Sequence, residues 1–271
     1  MNLRGNLQVL LRYMLHYEKV VTHPNYSWVV FLHGAGGSIQ TWKYQKEDFQ
    51  RYFNLLLIDL RDHGKSKNIH PSFEAYDFSV ISADIKAVLD AEKIEKAHFV
   101  TLSFGSVLLQ DFSIRYPQAI GQAVVSGGIF KGNLAIKSFV NLARFMNHWL
   151  GYENMYSLFS YLLMPRKRNQ VARRIYQMQA RKLSQKEYLK WVGLYREFFS
   201  LLKKFYHQVL PFSLLVVMGE DDHVFVQGAR SFVKQRNNVK LIELEKAGHI
   251  CNIEQHEDFN RTAINFLLQP A

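Results

Sequence analysis

Short apolar runs alternate with longer segments of helical periodicity over most of this chain, and this alternation constrains the fold more than any other feature. The runs that predict strands are Met14 to Val21, Trp28 to Leu32, Leu55 to Ile58, His98 to Leu102, Ala123 to Val125, Leu214 to Met218 and Lys240 to Leu244. Most of them are continuously apolar, as expected of strands buried on both faces. The first two flank the turn-like sequence His23-Pro24-Asn25, which predicts a hairpin.

The segments between these runs carry helical signals. Helical spacing of apolar residues is found in Ile81, Ile85, Val88 and Leu89, and again in Phe259, Ala263, Phe266 and Leu267. A further helix after Leu102 is expected to stop at Tyr116, because Pro117 disfavours helical geometry in the residue before it. Strands that alternate with helices pair in parallel through right-handed crossovers. We therefore predict an α/β fold with a mostly parallel, doubly wound sheet of about eight strands.

One connection breaks the alternation. More than eighty residues separate Ser126 from Leu214, and none of them forms a convincing strand pattern. A structureless loop of this length is implausible in a compact domain, and residues 141–161 and 171–206 have helical composition. We predict a core formed by residues 1–130 and 211–271, with residues 131–210 inserted as a helical cap over the sheet.

Net charge is concentrated in that insertion. The chain carries a formal charge of +11, and residues 131–210 contain 15 Lys or Arg but only 3 Asp or Glu. A cationic exterior over an aromatic pocket is one interpretation, and it implies peripheral contact with an anionic membrane or an anionic substrate. A solvated basic face is the commoner arrangement for such charge runs. Nucleic-acid binding, which basic residues interleaved with aromatic ones can also indicate, is the least favoured interpretation.

Location and redox setting follow from what the sequence lacks. Cys251 is the single cysteine, so no internal disulfide is possible and a cytoplasmic setting is favoured. The first twenty residues lack a sustained apolar region of the kind found in secretory signals. No stretch reaches the roughly 18 unbroken apolar residues that a membrane span needs. We therefore expect a soluble cytoplasmic protein.

Residues Thr101 to Gly105, with the sequence TLSFG, nearly match the G-x-S-x-G motif of a nucleophilic serine. Ser103 follows a predicted strand and begins a predicted helix, which is the strand-turn-helix context that the motif requires. Gly105 relieves crowding on the helix side. Thr101 replaces the first glycine at a strand end, where a β-branched residue is well accommodated. An ordinary serine at a helix N-terminus is the alternative for this stretch taken alone.

A serine nucleophile needs a base and an acid that orients the base. Asp222 follows a predicted strand in the sequence Gly219-Glu220-Asp221-Asp222, and His249 lies in the loop after the last predicted strand. Both follow Ser103 in the order Ser, acid, His. Asp221 is the rival for the acid, since a shift of one residue would redirect the carboxylate. Cys251 lies close to His249 but lacks a comparable elbow, and we expect it to be a small apolar residue.

A glycine-rich turn follows the strand Trp28 to Leu32. Acyl transfer needs hydrogen-bond donors for the developing oxyanion, and the expected donors are the backbone amides of Ala35 and Phe104. A phosphate-binding role for these glycines is weaker, because neither a Gly-Lys-Ser/Thr sequence nor Rossmann spacing follows. No metal ligand set or cofactor motif is apparent, so we expect neither a metal nor an organic cofactor.

Together these residues resemble the α/β-hydrolase family, in the serine-hydrolase branch with a helical cap after the sixth strand. The resemblance is carried by His33 to Gly36, by Asp59 to Ser66 (DLRDHGKS) and by Ser103, Asp222 and His249. It implies an oxyanion loop at the first stretch, a scaffold turn at the second and a catalytic triad at the three single residues. By the same resemblance Asp59, Arg61, His63 and Ser66 are scaffold residues. Thr101 is the one departure from the family pattern.

The resemblance implies a serine hydrolase that cleaves carboxylic esters of small to medium lipophilic acyl groups through an acyl-enzyme. The same triad supports thioesterase, lactonase and carbon-carbon bond hydrolase activities, and fold alone does not choose between them. A noncatalytic ligand-binding homologue is the alternative from another class. The serine argues against haloalkane dehalogenase and epoxide hydrolase chemistry, which in this fold use an aspartate at the elbow.

Overall fold

The computed structural model describes residues 14–67, 77–132, 141, 151–234 and 236–270. Within this part of the chain, seven strands form one sheet in the order β1-β3-β2-β4-β5-β6-β7. The strands are β1 (Tyr17–Val20), β2 (Trp28–Leu32), β3 (Asn54–Ile58), β4 (Ala97–Leu102), β5 (Ile120–Ser126), β6 (Ser213–Gly219) and β7 (Val239–Leu244). All neighbouring pairs are parallel except β1 with β3. The predicted α/β class with a mostly parallel sheet is confirmed, and the described residues supply seven of the about eight strands expected.

The central strands are apolar along their whole length because helices cover both faces of the sheet. Every residue of β3 is buried, and so are the last four residues of β2. Phe31 on β2 packs against Trp42 and Phe49, with ring centroids 5.1 and 5.2 Å apart. A strand that is buried on both faces has no solvent-exposed face that needs polar residues at alternate positions. This explains the continuous apolar runs in the sequence.

The predicted hairpin between the first two strands is wrong. β1 pairs antiparallel with β3, with Tyr17 opposite Ile58, while β2 lies between β3 and β4 and is parallel to both. Burial explains the choice, since β2 is enclosed and needs partners on both edges, whereas the partly exposed β1 suits the edge of the sheet. The loop between β1 and β2 is hydrogen-bonded to β3, because Asn54 Nδ2 donates to the carbonyl oxygens of His23 and Tyr26, each at 2.9 Å.

Ten helical segments surround the sheet in the described residues. They are α1 (Lys43–Gln50), α2 (Phe78–Ala91), α3 (Phe104–Arg115), α4 (residues 151–163), α5 (Gln170–Ala180), α6 (Gln185–Gly193), α7 (Tyr195–Tyr206), α8 (Val226–Val233), α9 (Cys251–Glu254) and α10 (His256–Leu267). Short 3₁₀ turns occur at Ile39–Trp42, Gly64–Ser66, Pro117–Ala119 and Lys167–Asn169. The helices predicted from apolar spacing are confirmed, and α3 ends at Arg115, before Tyr116 and Pro117.

The long connection between β5 and β6 is mainly helical in its described residues. It contains α4 to α7, and no strand occurs in its described residues. Phe198 of α7 lies parallel to Phe104 of α3, with ring centroids 6.1 Å apart, so this segment packs against the start of α3. We call residues 131–210 the inserted segment; its division from the core as a separate cap stays a prediction. No helix in the described residues is long and apolar enough to cross a membrane.

Candidate active site

Ser103 occupies the sharp turn between β4 and α3. Its φ of 51° and ψ of −118° place a non-glycine residue in a sparsely populated region of backbone space. The turn is held from both sides, because the Ser103 amide donates to Ser126 O at 2.9 Å while Ser106 donates to Ser103 O through its amide at 2.8 Å and its hydroxyl at 2.6 Å. These bonds fix a strained conformation that exposes the Ser103 side chain at the carboxyl end of the sheet.

Glycines permit the close approach of this turn to its neighbours. A Cβ on Gly105 would lie 2.5 Å from Leu32 O and 2.8 Å from His33 O, which is closer than any real contact. A Cβ on Gly34 would lie 3.3 Å from the Cβ of Ser103. The glycine on the helix side of the serine is therefore required by the backbone of β2.

Thr101 shows how the first glycine of the motif can be replaced. Its backbone lies within the sheet, opposite Leu32 of β2 and Val125 of β5, and its side chain is fully buried. No partner for its Oγ1 is found among the described residues. The substitution thus fits the sheet sterically, and its cost is a buried hydroxyl without a hydrogen bond, about 1–3 kcal/mol.

The three residues predicted to form a triad come together although they are far apart in sequence. His249 Nε2 lies 2.7 Å from Ser103 Oγ, and His249 Nδ1 lies 2.7 Å from Asp222 Oδ2. The other oxygen of Asp222 accepts a bond from the Phe225 amide at 3.1 Å. Because an ionised carboxylate only accepts, this network assigns the proton of the imidazole to Nδ1 and leaves Nε2 to accept the serine proton. A hydrogen-bonded series of this kind can supply a nucleophile, a base and an orienting acid.

Asp221, the rival acid, points elsewhere. Its oxygens accept bonds from Nε and Nη2 of Arg168, both at 2.6 Å, and from Arg166. Burial raises the pKa of this carboxyl, but the bonds from Arg168 and the charge of Arg166 outweigh burial, so the pKa lies below its ordinary value. The Asp221 carboxylate therefore pairs with the inserted segment. Of the two acids, only Asp222 bonds to His249.

Two buried histidines hold the glycine-rich turn in place. His33 Nδ1 donates to Gly34 O at 2.8 Å and its Nε2 accepts from the Leu60 amide at 3.0 Å. His63 Nδ1 donates to Arg61 O at 2.8 Å and its Nε2 accepts from the Gly36 amide at 3.0 Å. Burial lowers the pKa of His33 to about 4 and that of His63 to about 3. Both rings are therefore neutral near pH 7, as each bonding pattern requires.

The two expected oxyanion donors, one in the glycine-rich turn and one at the start of α3, lie at the same cavity. Ala35 and Phe104 both line the cavity that contains Ser103. In the described part of the chain, no hydrogen bond donated by the Ala35 or Phe104 amide to another residue is found. Backbone amides that face a reacting carbonyl can bind the negative charge that develops on its oxygen, and this role for Ala35 and Phe104 stays a prediction.

The stretch from Asp59 to Ser66 forms a hydrogen-bonded scaffold. Asp59 accepts from the amides of Ile39 and Lys65, both at 2.8 Å, and Ser66 Oγ donates to Asp59 O at 2.7 Å. Arg61 makes a bidentate pair with Asp84, with both bonds at 2.7 Å. These contacts agree with a supporting role for the turn.

A cavity of about 490 Å³ opens above Ser103 between the sheet and the inserted segment. Ser103, Phe104 and His249 form part of one side, and Phe159, Ile175 and Phe198 contribute from the inserted segment. Among the described residues that line it, none is Asp, Glu, Lys or Arg. His223, Gln179 and Thr41 add polar groups to a lining that is otherwise mainly apolar. A cavity of this size, mostly apolar and without Asp, Glu, Lys or Arg in its described lining, is suited to a neutral small molecule.

Cys251 lies close to this site without facing it. Its Sγ is 3.1 Å from Ser126 Oγ, and the residue is fully buried. Burial raises the pKa of the thiol to about 12, so the thiolate form needed for nucleophilic attack is not populated near neutral pH. Within the described residues no cluster of three or more His, Cys, Asp or Glu is placed to hold a metal ion.

Sequence reasoning missed one part of the site. Glu254 accepts a bond from the amide of Gly248, the residue before His249, at 2.6 Å, and another from Asn169 Nδ2 at 2.7 Å. Asn169 belongs to the inserted segment and lies 85 positions from Glu254 in sequence. No local motif marks either residue, because their contact exists only in the fold.

Comparison with known proteins agrees with this architecture. Residues 29–262 match the model of the alpha/beta hydrolase family. Epoxide hydrolase 3 of Mus musculus is 30% identical over 114 residues, which are 42% of this chain and 30% of that protein. A 2-hydroxy-6-oxononadienedioate/2-hydroxy-6-oxononatrienedioate hydrolase of Paraburkholderia phymatum is 31% identical over 104 residues, 37% of this chain and 35% of that protein. The matched region therefore covers only a minor part of each of these two relatives.

Similarity to solved structures extends over nearly the whole chain. The enol-lactonase from Burkholderia xenovorans LB400 superposes with a TM-score of 0.75, covering 94% of this chain and 96% of that one at 21% identity. At this level of identity the superposition demonstrates a common fold. The family model spans six of the seven described strands, all except β1, and most of the chain. The protein therefore belongs to the alpha/beta hydrolase family.

Proposed function

We propose that this protein is a serine hydrolase that cleaves neutral carboxylic esters of small to medium lipophilic acyl groups. The observation that carries the proposal is the continuous hydrogen-bonded series Ser103–His249–Asp222, with both bonds at 2.7 Å, at the edge of an uncharged cavity. A hydroxyl becomes a useful nucleophile only when a base accepts its proton, and this series supplies the base and its orienting acid.

The proposed reaction has two halves. Ser103 Oγ attacks the acyl carbon while His249 Nε2 accepts the hydroxyl proton and then donates it to the leaving alcohol. The amides of Ala35 and Phe104 stabilise the oxyanion, each contributing about 2.7–4 kcal/mol by comparison with similar sites. In the second half, His249 removes a proton from water, which attacks the acyl-enzyme and releases the acid and Ser103. Asp222 stays ionised and stabilises the imidazolium throughout.

Two features separate this proposal from the activities named in the two relatives. Attack of a serine on an epoxide carbon would give an ether, which has no carbonyl for water to attack, so Ser103 argues against epoxide hydrolysis. The name of the Paraburkholderia phymatum hydrolase specifies a dioate. The described lining of this cavity contains no Lys or Arg to pair with two carboxylates, which favours a neutral substrate here.

The test is a rate comparison across p-nitrophenyl esters from acetate to dodecanoate. Wild type is expected to show an optimum at short to medium acyl length, since the cavity holds about 490 Å³. Ser103→Ala is expected to reduce kcat by roughly 10⁶. Ser113→Ala is the matched control, because its hydroxyl donates only to Gln110 O on the far part of α3 and should leave kcat unchanged.

Labelling with a fluorophosphonate separates the remaining alternatives. Labelling of Ser103 without turnover of any oxygen ester would favour a thioester, a lactone or a carbon-carbon bond as the scissile group. The absence of both labelling and turnover would contradict the proposal and would favour a noncatalytic binding protein. Each outcome is read by mass spectrometry of the intact chain against Ser103→Ala.

The basic inserted segment supports a second, separable proposal, peripheral contact with an anionic membrane. Val171, Arg174 and Met178 are exposed at helical spacing on α5, so apolar and cationic groups share one face. Part of the segment's charge is already used, because Arg166 and Arg168 pair with Asp221. The uncharged cavity argues against an anionic substrate as the partner of the remaining charge. A cytoplasmic location, expected from the single cysteine, stays a prediction.

Co-sedimentation with vesicles tests this contact. Vesicles containing phosphatidylserine should bind the protein at low ionic strength, and phosphatidylcholine vesicles should not. Arg174→Glu combined with Met178→Gln is expected to abolish binding. Val209→Gln, at an even more exposed apolar position outside α5, is the control. Equal binding by both variants would show that this face is only a solvated surface.

A further inference from the structure

A short stretch of the inserted segment contacts both loops that carry the proposed acid and base. This stretch, Arg166 to Asn169, includes the 3₁₀ turn that precedes α5. On the acid loop, Arg168 makes two bonds of 2.6 Å to Asp221, the residue next to Asp222. Arg166 pairs with the same carboxylate. The position of the acid loop is therefore tied to the inserted segment by charge-assisted bonds.

On the histidine loop the tie runs through a single carboxylate. Glu254 uses one oxygen for Asn169 Nδ2 at 2.7 Å and the other for the Gly248 amide at 2.6 Å. Asn169 is fully buried, so this bond is protected from solvent. Gly248 precedes His249, and a carboxylate that grips its amide limits how far the imidazole can move.

The two loops are also fixed to each other. The Asp221 amide donates to Ala247 O at 2.9 Å, and the Lys246 amide donates to Glu220 Oε1 at 2.8 Å. A Cβ on Gly219 would lie 2.2 Å from Gly248 O, which shows how closely the loops pass. A displacement of one loop is thus transmitted to the other.

We propose that Asn169 and Glu254 are positioning residues, which hold His249 at bonding distance from Ser103 only while the inserted segment is docked. This inference rests on the proposed function for its kinetic meaning. Asn169 immediately precedes α5, and Ile175, Tyr176 and Gln179 of α5 line the cavity. The helix that lines the cavity and the residue that bonds to Glu254 are therefore adjacent in the chain, and this adjacency couples docking of the inserted segment to alignment of the base.

Steady-state kinetics of Asn169→Ala tests the proposal. A misplacement of about 1 Å at a reacting group costs about 10²-fold in rate, so kcat is expected to fall 10- to 100-fold with KM changed less than about threefold. Gln177→Ala is the matched control, because this amide on the adjoining helix α5 donates to Ser160 Oγ within the inserted segment, and Gln177 does not line the cavity above Ser103. It should retain wild-type kcat.

Conservative replacement distinguishes positioning from general stability. Glu254→Gln keeps an oxygen for the Gly248 amide, and its amide nitrogen can donate to Asn169 Oδ1, which has no partner among the described residues, once the Asn169 amide turns over. This variant is expected to retain kcat within about threefold of wild type, whereas Glu254→Ala should match Asn169→Ala. Thermal unfolding of each variant shows whether it is folded. If Asn169→Ala does not fold, Asn169→Ser replaces it, since a serine is too short to reach Glu254.

An activity-independent measurement keeps this inference separate from the proposed function. The Nδ1 proton of His249, bonded to Asp222, is observable by proton NMR at low field. Its resonance should broaden or shift in Asn169→Ala and stay unchanged in Gln177→Ala. If wild type hydrolyses no ester, the proposed function fails while this comparison still decides the positioning role. A folded Asn169→Ala protein with wild-type kcat and an unshifted resonance overturns the inference.

Discussion

Asp222 Oδ2 lies 2.7 Å from Nδ1 of His249, which is a direct hydrogen-bonding distance. The adjacent carboxylate, Asp221, bonds instead to Arg168. Two neighbouring acids with the same side chain therefore have different partners. The same Asp→Asn substitution can therefore be made at two adjacent positions, so that only the partner of the carboxylate differs between the two variants.

Asp222→Asn is expected to reduce kcat by about 10⁴ with little change in KM. An amide at this position can donate to Nδ1 and thereby shift the imidazole proton to Nε2, where it blocks proton transfer from Ser103. Asp221→Asn weakens the pair with Arg168 but leaves the imidazole bond intact, so its kcat should fall about tenfold or less. Ester hydrolysis by both variants measures the difference, and equal losses would contradict the assignment of Asp222 as the acid.

Thr101→Val is expected to stabilise the protein. The two side chains have similar shape, and the substitution removes a buried hydroxyl that lacks a partner in the described structure, which costs about 1–3 kcal/mol. We expect the free energy of unfolding in urea to rise by about 1 kcal/mol, with kcat unchanged. Thr101→Gly restores the family motif but leaves a void in the sheet, and should destabilise by about 1–2 kcal/mol. A loss of activity in Thr101→Val would show that the hydroxyl has a role in catalysis.

Local sequence patterns were sufficient for most of the strands and for the elbow. The run from His98 to Leu102 lies within β4, and Ser103 stands between that strand and α3 as the motif requires. These predictions succeeded because a buried strand and a strand-to-helix turn each depend on a few consecutive residues. The positions of Asp222 and His249 were equally accessible, since each follows a recognisable strand, and their roles as acid and base stay predictions.

Pairings between distant segments were beyond local patterns. The turn-like residues after Val21 predicted a hairpin, but the sheet places β3 between β1 and β2 because β2 needs two parallel neighbours. The bond from Asn169 to Glu254 had no signal either, as neither residue belongs to a motif. Which strands pair and which distant side chains meet depends on how whole elements are buried against one another. Local patterns in a single sequence do not reveal that burial.

Gly105→Ala and Gly193→Ala should have opposite effects on stability. A Cβ on Gly105 would meet the carbonyl oxygens of Leu32 and His33, both backbone atoms that cannot move independently, and overpacking of this kind costs about 1–3 kcal/mol. A Cβ on Gly193 meets nothing within 4 Å, and alanine there should gain up to about 1 kcal/mol from helix propensity. Urea unfolding measures both changes. We also expect kcat to fall in Gly105→Ala alone, because the elbow must shift away from the glycine-rich turn.

Stability should decline as the pH falls from 7 toward 5. Burial lowers the pKa values of His33 and His63 to about 4 and about 3, whereas in the unfolded chain each histidine titrates near its ordinary pKa of 6.5. Above that value both states are neutral and pH has no effect through these groups. Below it the unfolded chain binds protons that the folded protein excludes, so each histidine costs about 1.4 kcal/mol per pH unit until its folded pKa is reached.

His63→Gln provides the control for this pH dependence. The variant is expected to be less stable at pH 7.5, because its side chain reproduces the bonds to Gly36 and Arg61 imperfectly. Its free energy of unfolding should nevertheless fall less steeply between pH 6.5 and 5 than that of wild type, by about 1 kcal/mol per pH unit. Urea unfolding curves at several pH values measure both slopes. Parallel slopes would mean that the ring of His63 accepts a proton in the folded protein, which is incompatible with an Nε2 that accepts the Gly36 amide.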